Sequence, residues 1–246
     1  MIDFAATKAL FHIPDGVIYL DGNSLGAMPK TAAARAKSMI SDEWGEMLIR
    51  GWNDARWMEQ PKRVGDLVAR LIGAAPGTVV MGDTLSIKVY QALASALEMK
   101  PDRKVVVSDN GNFPTDLYIA DGLIKSLDKG HVLKTPNPED VESLINEDLA
   151  VLMLTHVDYR TGRMYDMKRI TKMAHDAGAI VIWDLAHSAG APVPRHLFMS
   201  GPIMRRPCAR HCRDGLVMRP RLPLTLNTAR PRMFRGCGSA PRRSFR

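Results

Sequence analysis

The segment Ile180-Val-Ile-Trp-Asp184-Leu-Ala-His187-Ser-Ala-Gly190 decides how the rest of the chain is read. Ala179 to Trp183 is an apolar, largely β-branched run, which predicts a buried strand. The run ends on a carboxylate, Asp184, and an imidazole, His187, follows three residues later. Open parallel sheets bind ligands beyond the carboxyl ends of their strands. An acid delivered there suits pairing with the ring nitrogen of a pyridine cofactor, keeping it protonated as an electron sink. The same acid could instead cap the next helix, and these residues alone leave both roles open.

Working outward from this segment, the composition changes sharply after about Ala191. Residues 191–246 carry thirteen Arg, no Lys, a single acid (Asp214), eight of the sixteen Pro and all three Cys. Residues 1–190 carry no Cys and more acids than bases, so the net charge of +8 combines −4 in the first part with +12 in the second. The first part reads as an α/β protein large enough to bury a core. No apolar run approaches the roughly 20 residues needed to span a bilayer, and Met1-Ile-Asp-Phe4 lacks a basic-then-apolar leader. A cytoplasmic, disulfide-free protein is the expectation.

In the second part, Pro and Arg interrupt the apolar residues too often for a helix or strand to propagate. Its arginines raise the possibility of a nucleic-acid contact. Cys208, His211, Cys212 and Cys237 could be offered as a zinc set, but Cys-x2-His-Cys spacing lacks the turn geometry of such sites. Arg without Lys, together with Pro and Cys, is what out-of-frame translation of a GC-rich gene tends to produce. The expected organisation is therefore 1–190 as the folded segment and 191–246 as an out-of-frame, unstructured tail.

Strand and helix signals alternate through the first part. Tyr19–Gly26 predicts a short strand running into a Gly-rich turn, and Pro29 and Thr31 open a helix with Ala36, Met39, Ile40, Met47 and Leu48 apolar. Pro61 starts a second helix that stops at Gly73, and Val79–Gly82 is strand-like. Asp83 and Thr84 cap a third helix. Strands are expected at Lys104–Ser108, His131–Lys134, Ala150–Thr155 and Ala179–Trp183, with helices near Val141–Ile145 and from Asp166 to Ala177. The alternation predicts βαβ units and a mostly parallel sheet, left incomplete by the tail.

Four places fall at strand ends or helix starts. Thr84-Leu85-Ser86 opens a helix whose free N–H groups and dipole suit a phosphate, although a plain N-cap accounts for it equally well. Phe113-Pro114-Thr115-Asp116 follows a turn, Asn110-Gly111-Asn112, expected to be flexible; the Phe is either core or a platform for a flat ring. Thr155 and His156 end one strand beside Tyr159-Arg160-Thr161-Gly162, and Asp184 and His187 end the next.

These residues carry a family resemblance. Tyr-Leu-Asp-Gly-Asn-Ser-Leu-Gly (19–26), Asn-Phe-Pro-Thr-Asp (112–116), Leu-Thr-His-Val-Asp-Tyr-Arg-Thr-Gly (154–162) and Trp-Asp-Leu-Ala-His-Ser-Ala-Gly (183–190) resemble the kynureninases, particularly the bacterial ones, in order and in spacing. The resemblance covers about 1–190, roughly the first half of a full-length member. It implies the three-layer, mostly parallel α/β major domain of pyridoxal-phosphate enzymes of the aspartate-aminotransferase class. It also implies a homodimer that hydrolyses L-kynurenine to anthranilate and L-alanine, within tryptophan catabolism. By the same resemblance Leu85 and Ser86 contact the cofactor phosphate, and Phe113 stacks on its ring. Pro114, Thr115 and Asp116 share that loop, Thr155 lies nearby, Asp184 pairs with the ring nitrogen and His187 sits beside it. Trp52 falls where the family places a ring near the substrate.

One family feature is missing. The Schiff-base lysine is expected some two dozen residues after Asp184, yet no lysine follows Lys172. Catalytic residues are therefore expected to be none, and the chain inactive, because that lysine is both the covalent anchor and the base. No metal is expected. A desulfurase-like or epimerase-like enzyme of the same fold is a second reading, although such relatives usually stack a His where this chain has Phe113. A non-enzymatic protein binding nucleic acid through its Arg-rich tail is a third.

Overall fold

The computed structural model describes residues 3–190. The boundary after residue 190, the 191–246 tail and the Cys208, His211, Cys212 and Cys237 set lie outside the described residues.

The N-terminal third is a string of short elements. Helix α1 (Phe4–Lys8) leads into β1 (Phe11–His12), which pairs antiparallel with β2 (Met28–Pro29). Helix α2 (Ala32–Ser38) passes into a π-helix (Met39–Glu46), a 3₁₀ turn (Leu48–Arg50) and α3 (Gly51–Asp54). None of the residues in α1, α2, the π-helix or this 3₁₀ turn is buried. The single long helix expected over Met39, Ile40, Met47 and Leu48 is therefore interrupted. Its apolar positions find no facing surface among the described residues, and Leu48 adopts φ 50°, which ends any continuous helix there. The strand expected at Tyr19 is also absent: 17–20 is irregular and exposed, and the Tyr19 hydroxyl donates to the Leu25 carbonyl at 2.5 Å.

After a 3₁₀ turn (Trp57–Glu59), α4 (Gln60–Ile72) starts with Pro61 in its first turn and ends at Gly73, φ 71°, as its sequence dictates. Val79–Gly82 forms no strand, since no neighbouring strand pairs with it among the described residues. It lies instead on α4, where the Met81 amide donates to the Pro61 carbonyl. A Cβ on Gly65 would sit 2.1 Å from the Val79 oxygen, so only glycine allows this approach.

The core begins with α5 (Leu85–Met99) and alternates from there. It continues through β3 (Val105–Val107), α6 (Pro114–Leu127), β4 (Val132–Lys134), a 3₁₀ segment (Pro138–Leu144), β5 (Leu149–Thr155), α7 (Met167–Asp176) and β6 (Ile180–Asp184). The strands form one parallel sheet in the order β4-β3-β5-β6. All seven residues of β5 are buried, as expected for a central parallel strand covered on both faces. One face packs Val89, Leu93 and Leu97 of α5 and Leu123 and Ile124 of α6 against Val106, Val151 and Met153. The other packs Ile170 and Ala174 of α7, with Val141, against Val107, Leu152 and Leu154. The pairing register shifts between Val105 and Val106, which pair with Leu149 and Val151. Ala150 is the extra residue, and it joins Val151 in the first cluster instead of alternating with it. This is the parallel α/β sheet expected from the alternation of elements, with the three layers that the family resemblance implies.

Arg103 fastens the opposite, amino-terminal edge. Its guanidinium donates to the carbonyls of Leu149 (2.9 Å) and Ala177 (2.8 Å), tying the start of β5 to the turn before β6.

Candidate functional site

At the carboxyl ends of β3, β5 and β6 the sequence delivers four polar groups in succession. Parallel registration puts Thr155 directly beside Asp184. The Thr155 hydroxyl points at Asn112 Oδ1 and also lies 3.2 Å from Asp184 Oδ2; having one proton, it donates to one of them at a time. The other Asp184 oxygen accepts the Ala186 amide at 2.7 Å. Among the described residues no helix follows for Asp184 to cap; one oxygen holds the turn after β6, and the other lies beside Thr155.

Asp116, in the first turn of α6, is 1% exposed, and neither of its carboxylate oxygens has a hydrogen-bond partner. Burial, and secondly the charge of Asp184, pushes its carboxyl up to about 7. Two neighbouring acids at a sheet end, one of them without a partner, form a site for a proton or for a cationic N–H. An orphaned buried carboxyl is costly unless something is brought to it.

Phe113 is the residue before α6, with φ −60° and ψ 131°, and Pro114 occupies the first turn. Its ring meets Tyr159 edge-on at 5.2 Å and His187 at 6.3 Å. His187 Nδ1 lies 3.1 Å from the Val157 carbonyl and donates to it as the Nδ1–H tautomer. A narrow crevice beside Phe113 is lined by Asp109, Asn112, Thr155, Asp158, Tyr159 and Arg163.

The structure thus brings Phe113, Asp116, Thr155, Asp184 and His187 together. Pro114 and Thr115 are exposed on the same helix start. Leu85 and Ser86 stand at the amino end of α5, where the Thr84 side chain makes no capping bond, and no hydrogen bond ties them to the Phe113 group. Trp52 is 48% exposed and packs edge-on against Trp57 at 5.9 Å, apart from the Phe113 group.

The sequence reading missed Asn112. The turn expected to be flexible is buried: Gly111 and Asn112 are both covered, and Asn112 links Ser108, Thr155 and the Phe113 amide. An Asn-Gly-Asn stretch signals a solvent turn when it is read locally, and only tertiary contacts convert it to a buried one. Tyr159, which buttresses the Phe113 ring, has no signal of its own in the sequence beyond its place in the 154–162 motif.

Among the described residues no group of three His, Cys, Asp or Glu side chains could hold a metal ion. No helix there is long and apolar enough to cross a membrane.

Fold and site together define a protein of the pyridoxal-enzyme type of parallel α/β sheet, with an acid, Asp184, at the end of the strand beside the central one. The chain belongs to the DegT/DnrJ/EryC1/StrS aminotransferase family, whose model matches residues 68–196, just over half of it. It is similar to the kynureninase of Pseudomonas fluorescens, 50% identical over 202 residues, covering 80% of this chain and 48% of that protein. It is also 52% identical over 192 residues to a kynureninase of Burkholderia pseudomallei strain 1106a, covering 76% of this chain and 46% of that one. The chain therefore spans about half the length of the curated relatives it matches. Among solved structures it resembles an apo cysteine desulfurase from Thermococcus onnurineus NA1 (TM-score 0.60, 20% identity, covering 77% of this chain and 49% of that one). The cysteine desulfurase CsdA from Escherichia coli is equally similar (TM-score 0.60, 19% identity, 77% and 50%). At those identities the likeness is one of fold.

Proposed function

We propose that residues 1–190 are the first part of a kynureninase: a pyridoxal-phosphate enzyme that hydrolyses L-kynurenine to anthranilate and L-alanine. About 50% identity to curated kynureninases supports this substrate over the desulfurases, which share only the fold. The observation that carries the cofactor reading is the buried, unpartnered Asp116 beside Asp184, under a loop that presents the Phe113 ring. A flat, cationic heterocycle would satisfy both acids and cover the ring.

Bound pyridoxal phosphate supplies an electron sink for the pair released at the α-carbon of the amino-acid substrate. The chain's own residues hold and tune it. Asp184 would accept the ring N–H through the oxygen not committed to Ala186, and Thr155 would steer that oxygen. Asp116, with its carboxyl raised to about 7, would hold or release a proton near neutrality, so the pair could keep a single net charge against the ring nitrogen. Phe113 would stack on the ring, and Leu85 and Ser86 would receive the phosphate at the start of α5, where free N–H groups favour anions. Trp52 borders the aromatic ring of the substrate.

The cytoplasmic homodimer of the family is part of the same proposal. So is the division at about residue 190, since the family match stops at residue 196, close to where the composition changes. The DNA after codon 190 is then expected to encode a Tyr-Lys loop in another frame, and early stops in both other frames would overturn that division.

The chain as written lacks the lysine that anchors the cofactor and moves the α-proton. General-base loss alone costs about 10²–10⁴-fold in rate, so no turnover is expected from it. The test is a titration of the purified chain with pyridoxal 5′-phosphate, borohydride reduction with mass spectrometry for a lysine adduct, and anthranilate fluorescence with kynurenine. Cofactor uptake without a stoichiometric adduct or turnover supports the reading. Failure to take up cofactor, or turnover near that of a complete enzyme, overturns it.

A further inference from the structure

The loop that presents Phe113 is held from beneath by side chains that play no part in the cofactor contacts proposed above. Asp109, the first residue after Ser108 at the end of β3, is 2% exposed. Its Oδ1 accepts the Gly111 amide at 2.8 Å, and its Oδ2 accepts the Tyr165 hydroxyl at 2.7 Å. Arg163 lies 3.5 Å from the same Oδ2, with its guanidinium 4.2 Å over the Tyr165 ring. A second tie runs from Arg160 to the Gly111 carbonyl at 3.5 Å. Asp158 steadies Arg160's own turn by accepting the Arg160 and Thr161 amides at 2.9 and 2.8 Å.

All of these partners come from one excursion, residues 156–165, closed by an antiparallel bridge between Val157 and Met164. The same excursion supplies Tyr159, which packs on Phe113. It therefore grips the loop twice, at its backbone turn and at its ring. The fit around Gly111 is close: a Cβ there would lie 3.1 Å from Asp109 Oδ1 and 3.2 Å from both Arg160 and Asp158, so these side chains would have to give by a few tenths of an ångström.

We infer that Tyr165, acting through Asp109, is a positioning residue for the ring-stacking loop, with Arg163 as the cation that holds the Asp109 carboxylate in place. The Tyr165 phenol gives direction to the Asp109 carboxylate. That carboxylate fixes the Gly111 amide, and the turn then sets where Phe113 stands relative to Asp116 and Asp184. Charge-assisted bonds of this kind are stronger than neutral ones, and burial raises the cost of losing them. The inference rests on the cofactor reading of this site for its purpose, but not for its geometry.

The test compares the full chain with Tyr165→Phe, which keeps the ring packed on Trp183 and removes only the hydroxyl. Amide exchange is read at Gly111, Asn112 and Phe113, with Leu152 and Ile182 as controls. Loss of one buried hydrogen bond predicts exchange about five- to tenfold faster at the loop and unchanged in the strands. Pyridoxal phosphate is then titrated, recording affinity and the visible circular dichroism per bound cofactor, which reports its orientation against the Phe113 ring. Affinity about fivefold weaker, with reduced ellipticity, is the expected result.

Unchanged exchange at the loop overturns the proposal. Faster exchange with unaltered affinity and ellipticity overturns it too, since the contact would then be merely structural. A wild-type chain that takes up no pyridoxal phosphate overturns the cofactor reading and leaves the loop restraint to be judged by exchange alone. Arg163→Gln is the second variant should Tyr165→Phe fail to fold; the same changes are expected, smaller in size.

Discussion

The sheet and the N-terminal third use apolar residues in opposite ways. Every residue of β5 is buried, and clusters on both faces of the sheet close around it. Between residues 4 and 49, Phe4, Ile18, Leu20, Leu25 and Ile49 are all more than two-thirds exposed. Apolar content is similar in character, but only one region has a facing layer. A layered α/β segment completes its core with elements adjacent in sequence, because each crossover helix returns to the strand it follows. A string of short helices has no such return, and contiguous exposed apolar surface marks a region built to be covered. The homodimer proposed above is one way to cover it.

The largest expected effect tests that contrast directly. Leu152→Ala should cost about 2–5 kcal/mol in urea denaturation, while Leu20→Ala and Ile49→Ala should each cost under about 0.5 kcal/mol. Comparable losses at all three would mean that the N-terminal third is packed in solution.

Charge buried at the sheet end gives the next effect. Asp116 binds its proton more tightly when folded, so its contribution is complete below the unfolded value of 3.8 and is lost as pH rises through about 7. Denaturation midpoints should therefore fall between pH 4 and 8 by a few kcal/mol in equivalent stability, and Asp116→Asn should flatten that slope. A slope that survives the substitution would remove Asp116 from the account.

Arg103→Met should cost about 1–3 kcal/mol, because two carbonyls at the amino edge of the sheet lose their donor. No loss would show that water replaces it.

His156 is the smallest effect and has the opposite sign. It is fully buried, and burial lowers its proton affinity, outweighing a hydrogen bond to the Tyr165 backbone. The folded state favours the neutral ring, so stability is present above the ordinary value of 6.5 and is lost as pH falls below it. His156→Leu should remove that acid-side loss. A variant that retains it would point to another group.

Legibility in the sequence followed the same division. The strand ends carrying Thr155 and Asp184 could be read because a buried parallel strand is a nearly uninterrupted apolar run with a definite last residue. The capping of α7 by Asp166 and the stop at Gly73 were equally local, and both are present. The helix expected through Met39–Leu48 is interrupted because its apolar stripe finds no facing surface among the described residues. The buried state of Asn112 could not be read, since its partners Ser108 and Thr155 lie four and forty-three residues away. The bulge at Ala150 left no mark in an unbroken apolar run.

Gly65 gives these two regions a mechanical connection. With the Val79 carbonyl pressed into the space where a side chain would be, α4 and the 79–82 segment have no clearance to slide past each other. That segment runs straight into Thr84 and the amino end of α5. A side chain at position 65 would therefore push the 79–82 backbone away from α4, immediately before the helix start proposed to hold the phosphate.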